Sequence, residues 1–227
     1  MSAIDASPSN NGRGSEAWAG SWMHVGVDRR SPAYCRVTFD QPPVNTITAT
    51  TVAEVGELVG LIEEDHDLNV VVFDSANPGF YLEGPAGIHA WLDLLGRLSR
   101  APLVTIASIR GRVSGAGTEF VLACDLRFAS RENALLAQVD VGTGVASGGD
   151  PTARLPRLVG HARALEILLV ADDFDGPRAE QYGYVNRAIP DDRLDAEVDA
   201  MAARLVRSDH DAIARTKAYV ERAGNRC

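Results

Sequence analysis

The chain has 227 residues, of which 31 are acidic and 22 basic, for a net charge of −9 at pH 7. That length fits one α/β domain with a full core, and the acidic balance excludes nucleic acid and anionic membrane surfaces as expected partners. The three cysteines are far apart, no apolar run approaches the length of a membrane span, and no signal-peptide pattern opens the chain, so we predict a cytoplasmic protein with free thiols.

The first half of the chain predicts a tail followed by strands and one helix. Residues 1–21 are rich in Ser, Asn, Gly and Ala, which predicts a disordered tail. Alternating residues predict strands over 23–27 and 34–40, and apolar spacing predicts a helix over 51–65. The continuous apolar run 69–74 is typical of a strand covered on both faces.

A glycine-rich turn at the centre of the chain is the most informative local pattern. An amphipathic helix is predicted over residues 88–99, followed by a buried strand over 103–109. Gly111, Gly115 and Gly117 come next, and then a short apolar helix over 119–124. Strand, glycines and helix can point backbone N–H groups at an anion. A purely structural turn remains the alternative, and Phe120 in place of a third glycine argues against a dinucleotide fingerprint.

The second half of the chain is predicted to be mainly helical. Residues 152–171 have helical spacing, a short helix begins at 175–177, and 181–189 contains a strand. Two further helices are predicted over 191–207 and 209–224. The five histidines are scattered without ligand spacing, so no metal site is predicted.

Residues 109–130, IRGRVSGAGTEFVLACDLRFAS, resemble the second signature of the enoyl-CoA hydratase/isomerase (crotonase) superfamily. The resemblance extends over nearly all of residues 23–224. It implies an α/β fold with a crotonase-like spiral of ββα turns in a core over 22–189, and a helical C-terminal region over 190–227 that is shorter than usual. It also implies a homotrimer or hexamer.

The resemblance further implies an oxyanion hole, in which two backbone N–H groups bind the oxygen of a thioester. The donors fall on Gly84 and on Ala116, which stands where the family has the middle glycine of a triplet. Glu83 and Pro85 depart from the family pattern around Gly84, and a surface loop without a donor role is the alternative there.

Two carboxylates are the implied proton-transfer groups. Glu119 lies behind the glycines, where a carboxylate is either a capping group or a proton-transfer group, and Asp140 falls on the second acidic position of the family. Asp140 reaches roughly 1.5 Å less far than the usual Glu, and the alternative is a turn residue before Gly142. Asp150 and Pro151 replace a glycine pair of the family. The implied substrate-binding residues are Tyr81, Leu82 and Gly148.

These residues predict an enoyl-CoA hydratase-type enzyme acting on an acyl-CoA thioester through a stabilised enolate. Coenzyme A is part of the substrate, so no separate cofactor is implied. The alternatives are a Δ3,Δ2-enoyl-CoA isomerase, which needs only one working acid, and a family member that binds acyl-CoA without turnover.

Overall fold

A computed structural model describes residue 18 and residues 22–78, 88–144, 146 and 150–224. Its strands, numbered in chain order, are β1 (Val25–Ser31), β2 (Tyr34–Phe39), β3 (Val70–Ser75), β4 (Val104–Ile109), β5 (Arg112–Val113), β6 (Leu126–Ser130), β7 (Leu135–Leu136), β8 (Phe174–Asp175) and β9 (Arg187–Ile189). Its α-helices are α1 (Ala49–Glu64), α2 (Ile88–Arg100), α3 (Ala116–Ala123), α4 (Asp150–Val159), α5 (His161–Val170), α6 (Gly176–Tyr182), α7 (Leu194–Leu205) and α8 (His210–Gly224). Short 3-10 helices lie at Val141–Thr143 and Asp191–Arg193.

Within the described residues, the larger sheet has the strand order β1-β2-β3-β4-β6-β9. The hairpin of β1 and β2 is antiparallel, and every later neighbour in this sheet pairs in parallel. Parallel pairing requires a crossover between paired strands. Helices α1, α2 and α3 lie in the first three crossovers, and α4, α5 and α6 lie in the connection from β6 to β9. Strands β5, β7 and β8 form a smaller sheet beside it.

The two faces of the larger sheet are covered by different packing layers. Val71 and Phe73 of β3 point into the main core, whereas Val70 and Val72 point into a second cluster against Val198 and other residues of α7. Successive side chains of a strand alternate between faces, so a strand buried on both sides must be apolar at every position. Residues 70–73, with the sequence VVVF, meet that requirement and are all fully buried.

The structure confirms most of the predicted elements and corrects three boundaries. Strand β1 begins at Val25 and continues to Ser31, four residues beyond the predicted end at 27. The helical region 152–171 is two helices that meet at Gly160, whose φ of +83° suits glycine. Helix α3 begins at Ala116, three residues before the predicted start at 119, so Gly117 lies inside the helix and Gly115 directly precedes it. The mixed α/β architecture with a parallel sheet is the crotonase-like fold that was predicted.

The N-terminal range 1–21 lies outside the described residues except for Trp18. That side chain is 6% exposed and packs in the main core, and its indole N–H donates to Asp65 Oδ2 at 3.1 Å. Cys35 and Cys124 are buried free thiols. Across the described ranges, none of the helices combines the length and the apolar character needed to cross a membrane.

Candidate active site

Helix α3 begins directly after the glycine-rich turn, and its N-terminus has no side-chain cap. Gly115 precedes the helix with φ +53° and ψ −130°, a conformation that favours glycine, and it has no side chain to cap the helix. The Gly117 N–H donates to the Ser114 carbonyl at 3.0 Å and the Glu119 N–H donates to the Gly115 carbonyl at 3.2 Å. Ala116 is the first helical residue, where an N–H has no acceptor in a preceding turn. This is the position predicted for an oxyanion donor.

Packing beneath α3 fixes the direction of this helix. The Phe120 ring lies fully buried with its centroid 5.2 Å from that of Phe39 and 5.0 Å from that of Phe73, both edge-on. The Thr118 hydroxyl donates to the Ala137 carbonyl at 3.1 Å, which joins the helix to the segment that leads to Asp140. Glu119, between these two anchored residues, is therefore held at a defined place in the first turn.

The C-terminal end of α3 is held by a buried cation. Arg127 donates to the carbonyl groups of Val121 (3.2 Å), Cys124 (2.7 Å) and Tyr184 (3.1 Å). Burial lowers the pKa of its guanidinium. A positive group among carbonyls at a helix C-terminus is favourable, so Arg127 stabilises the helix that bears Glu119.

The carboxyl group of Glu119 has an unusual proton affinity. The side chain is half-buried, and its pKa rises from the usual 4.5 to about 7. Burial is the largest cause, the negative charge of Asp150 is the next, and that of Asp140 also raises it, while the Trp91 indole N–H lowers it. A carboxyl group with a pKa near neutrality is populated in both forms and can therefore accept and return a proton.

Asp140 lies near enough to Glu119 to act on its charge. It is half-buried and directly precedes the 3-10 helix Val141–Thr143, and its backbone carbonyl accepts from the Thr143 N–H at 3.0 Å and the Thr143 hydroxyl at 2.8 Å. Its side chain makes no capping hydrogen bond. The main chain of Asp140 thus forms the turn, and its side chain takes no part in capping it.

Two residues that sequence reasoning did not place in the site also act on Glu119. Asp150, noted only as a replacement of glycine, begins α4 and forms an ion pair with Arg154 at 2.8 Å one helical turn later. Trp91 of α2 is 2% exposed and stacks on Phe120 at a centroid distance of 6.0 Å. The spacing of four residues between Asp150 and Arg154 indicates their ion pair from sequence. No sequence pattern connects Asp150 or Trp91 with Glu119.

The remaining predicted site residues cannot be placed in this arrangement. Gly84, Tyr81, Leu82 and Gly148 lie outside the described residues. In the part of the chain that is described, no group of three or more His, Cys, Asp or Glu side chains is positioned to hold a metal ion. Among the described residues, the candidate site therefore consists of the Ala116 N–H and of Glu119, whose pKa responds to Asp140, Asp150 and Trp91.

Comparison with known proteins decides the family. Residues 88–226, more than half of the chain, match the family described as enoyl-CoA hydratase/isomerase. The chain belongs to this family. Its members act on acyl-CoA thioesters, and the matched range contains Ala116, Glu119 and Asp140.

Solved structures of the enoyl-CoA hydratase/isomerase family agree in fold. A candidate enoyl-CoA hydratase from Streptomyces avermitilis is 37% identical with a TM-score of 0.84, over 92% of this chain and 81% of that chain. A monofunctional enoyl-CoA isomerase from Mycobacterium smegmatis is 29% identical with a TM-score of 0.79, over 89% and 94%. An enoyl-CoA hydratase from M. smegmatis is 26% identical with a TM-score of 0.82, over 88% and 83%.

Proposed function

We propose that this protein is an enoyl-CoA hydratase-type enzyme that acts on an acyl-CoA thioester through an oxyanion-stabilised enolate. The observation that carries the proposal is the placement of Glu119. Its half-buried carboxyl group, with a pKa of about 7, lies in the first turn of a helix whose uncapped N-terminus begins at Ala116. The same helical turn thus offers a carboxyl group for proton transfer, Glu119, and a backbone N–H for stabilising negative charge, that of Ala116.

The thioester oxygen would be held by the backbone N–H groups of Ala116 and Gly84. Negative charge develops on that oxygen when a nucleophile adds to the β-carbon or a proton leaves the α-carbon. Donors already oriented toward the developing charge stabilise the transition state by ~3 kcal/mol each. Neither donor requires a particular side chain, so the alanine at 116 preserves the function of the family's glycine.

Glu119 and Asp140 would move the protons. A water held between the carboxylates loses a proton to one of them as its oxygen bonds to the β-carbon. The electron pair of the double bond passes to the thioester oxygen, and the α-carbon then takes a proton from a carboxyl group. The product is a 3-hydroxyacyl thioester, and the protein regains its initial protonation. Two acids in one pocket differ in pKa, so one can be ionised and accept the proton of the water while the other is protonated and donates to the α-carbon.

Specificity, assembly and location remain part of the proposal. The proposed substrate-binding residues are Tyr81, Leu82 and Gly148. Coenzyme A would bind as part of the substrate, with no separate cofactor. The proposed assembly is a homotrimer or hexamer in the cytoplasm.

A Δ3,Δ2-enoyl-CoA isomerase is the second candidate. A single carboxyl group can remove a proton from one carbon and return it to another if both of its forms are populated, and Glu119 meets that condition near pH 7. The shorter reach of Asp140 also favours a reaction with one acid. A relative that is 29% identical is an isomerase by name. The third candidate is a protein that binds acyl-CoA without turnover.

Loss of enoyl-thioester absorbance with crotonyl-CoA tests the first candidate, and conversion of a 3-enoyl-CoA tests the second. The variants Glu119→Gln and Asp140→Asn should each abolish hydration, whereas isomerisation should depend on Glu119 alone. Asp173→Asn is the matched control, because Asp173 forms a surface ion pair with Arg112. Absence of turnover with both substrates, together with a thermal shift on adding acyl-CoA, would overturn catalysis and leave the binding protein.

A further inference from the structure

A cavity of about 610 Å³ lies between helix α8 and the C-terminal end of α3. Its walls come from α3, the starts of β4 and β6, the end of α7 and one face of α8. Ala116, Glu119 and Asp140 do not line it, and the rise of an α-helix puts the two ends of α3 roughly 10 Å apart. A cavity of that size is typical of a small-molecule site. It is therefore a candidate binding site separate from the one that contains Glu119.

The walls of this cavity are mainly apolar. Helix α3 and the start of β6 contribute Leu122, Ala123 and Leu126, and α8 contributes Ile213 and Val220. Val220 is 68% exposed, so water reaches an apolar side chain at the edge of the cavity. Removing such surface from water is favourable, and an apolar molecule in the cavity would do so. The walls therefore suit the apolar part of a ligand.

Two cations line the cavity, and both have free N–H groups. Arg154 donates through Nε to Asp150 at 2.8 Å, and within the described ranges its Nη1 and Nη2 groups have no protein acceptor. Lys217 donates to the Leu103 carbonyl at 2.9 Å and to Asp125 Oδ2 at 2.8 Å. An ammonium group has three N–H donors, so one remains without an acceptor in the part of the chain that is described. A guanidinium with free N–H groups matches the two oxygens of a carboxylate.

The acidic groups of the cavity are already compensated or lie in solvent. Asp125 Oδ2 accepts from the N–H and the hydroxyl of Thr105, at 2.8 and 2.9 Å, in addition to Lys217. Asp209 Oδ1 accepts from a backbone N–H in the first turn of α8 at 2.8 Å. Asp209 and Glu221 are exposed, so water and salt screen their charges. The charged groups left free to bind a ligand are thus N–H donors, which favours an anion.

We propose that this cavity binds an amphipathic carboxylate, such as a fatty acid, with the carboxylate on the Arg154 guanidinium and the apolar chain between α3 and α8. Apolar walls with a few polar groups that fix the orientation are the usual composition of a ligand site. The Nε of Arg154 stays on Asp150, so binding leaves that ion pair in place. The proposal does not rest on the proposed function, because the cavity contains none of the groups assigned to proton transfer.

The sequence supplies a probe of this cavity, because Lys217 is the only lysine of the chain. Protein labelled with ¹³C-lysine therefore gives a single εCH₂ signal in NMR spectra. Titration with sodium decanoate should shift this signal in a saturable manner, with the same Kd that calorimetry measures. Decanol keeps the chain and lacks the charge, so it should bind at least about tenfold more weakly. Equal binding of decanol, or binding of decanoate that leaves the Lys217 signal unmoved, would overturn the proposal.

Two variants and a control locate the ligand. Arg154→Gln should weaken decanoate binding by about tenfold because the guanidinium is lost, and Ile213→Trp should abolish the Lys217 shift by filling the cavity. Arg157→Gln is the matched control, because Arg157 is exposed on the same helix and does not line the cavity. Wild-type affinity in Arg154→Gln, or a full shift in Ile213→Trp, would refute the placement. If a variant does not fold, the comparison of decanoate with decanol in the wild type still decides.

Other occupants of the cavity would give different results. A second copy of this chain in the cavity would make the Lys217 signal depend on protein concentration without any ligand, and would overturn the proposal. Displacement of decanoate by crotonyl-CoA would place decanoate in the site of the proposed function and would also overturn it. Saturable decanoate binding at Lys217 in a protein that turns over no acyl-CoA would support the cavity site and count against the proposed function alone.

Discussion

Replacement of Glu119 by glutamine should stabilise the folded protein at neutral and alkaline pH. The pKa of Glu119 rises from 4.5 to about 7 on folding, so the folded state holds this proton more tightly than the unfolded state. Stability is then lost as the pH rises from about 4.5 to about 7, and the full cost is present above that range. Glutamine does not titrate and avoids this cost.

The magnitude follows from the same shift. At 1.36 kcal/mol per pH unit, the rise corresponds to about 3.4 kcal/mol as an upper limit. The side chain is only half-buried, and solvent screening reduces the difference, so we expect the variant to gain about 1–2 kcal/mol in the free energy of unfolding. For a chain of this size that gain raises Tm by about 2–8 °C.

Thermal and urea unfolding of both proteins at several pH values measure this gain without any assumption about substrate. The advantage of Glu119→Gln should be smallest at about pH 4 and largest at about pH 8. Glu54→Gln is the opposite control, because that carboxylate accepts from the backbone N–H groups of Met23 (2.6 Å) and His24 (3.0 Å), so its loss should destabilise the protein. A Glu119→Gln variant whose stability relative to wild type is independent of pH would refute the reasoning.

Three further substitutions test the surroundings of the site. Asp150→Asn removes a negative charge beside Glu119, so the acidic limb of the pH–activity profile should move to lower pH; a move to higher pH would contradict this. Phe120→Ala should cost about 3–5 kcal/mol in urea unfolding because the ring is fully buried; a loss below about 1 kcal/mol would be inconsistent with the packing. Lys217→Met removes the cation that donates to Asp125 Oδ2 and the Leu103 carbonyl, which should cost about 1–3 kcal/mol, and an unchanged urea midpoint would argue against that role.

Local pattern was sufficient to predict most of the fold. A strand buried on both faces restricts its residues to apolar ones, and a turn with positive φ favours glycine. The sequence therefore indicated β3 by its apolar run and the turn before α3 by its glycines. It indicated α1 by the helical spacing of its apolar residues. Gly160 shows the limit of this reasoning. A single glycine inside an apolar helical pattern does not reveal from sequence that the chain will break there.

The chemical environment of Glu119 was only partly predictable. Glu119 and Ala116 belong to one continuous motif, so their neighbourhood is fixed by the geometry of a single turn. Trp91 and Asp150 are 28 and 31 positions away from Glu119 in the sequence, and they reach it because α2 and α4 pack against α3. Contacts of that kind depend on the packing of whole helices and have no periodic signature in the sequence.

Deuterium incorporation from D₂O tests the proposed chemistry most directly. Crotonyl-CoA is incubated with the protein in D₂O, and the product is read by NMR at its α-carbon. The account predicts a 3-hydroxyacyl thioester with deuterium at the α-carbon from the wild type and none from Glu119→Gln. No deuterated product from the wild type, or the same amount from Glu119→Gln, would contradict the assignment of proton transfer to this carboxyl group.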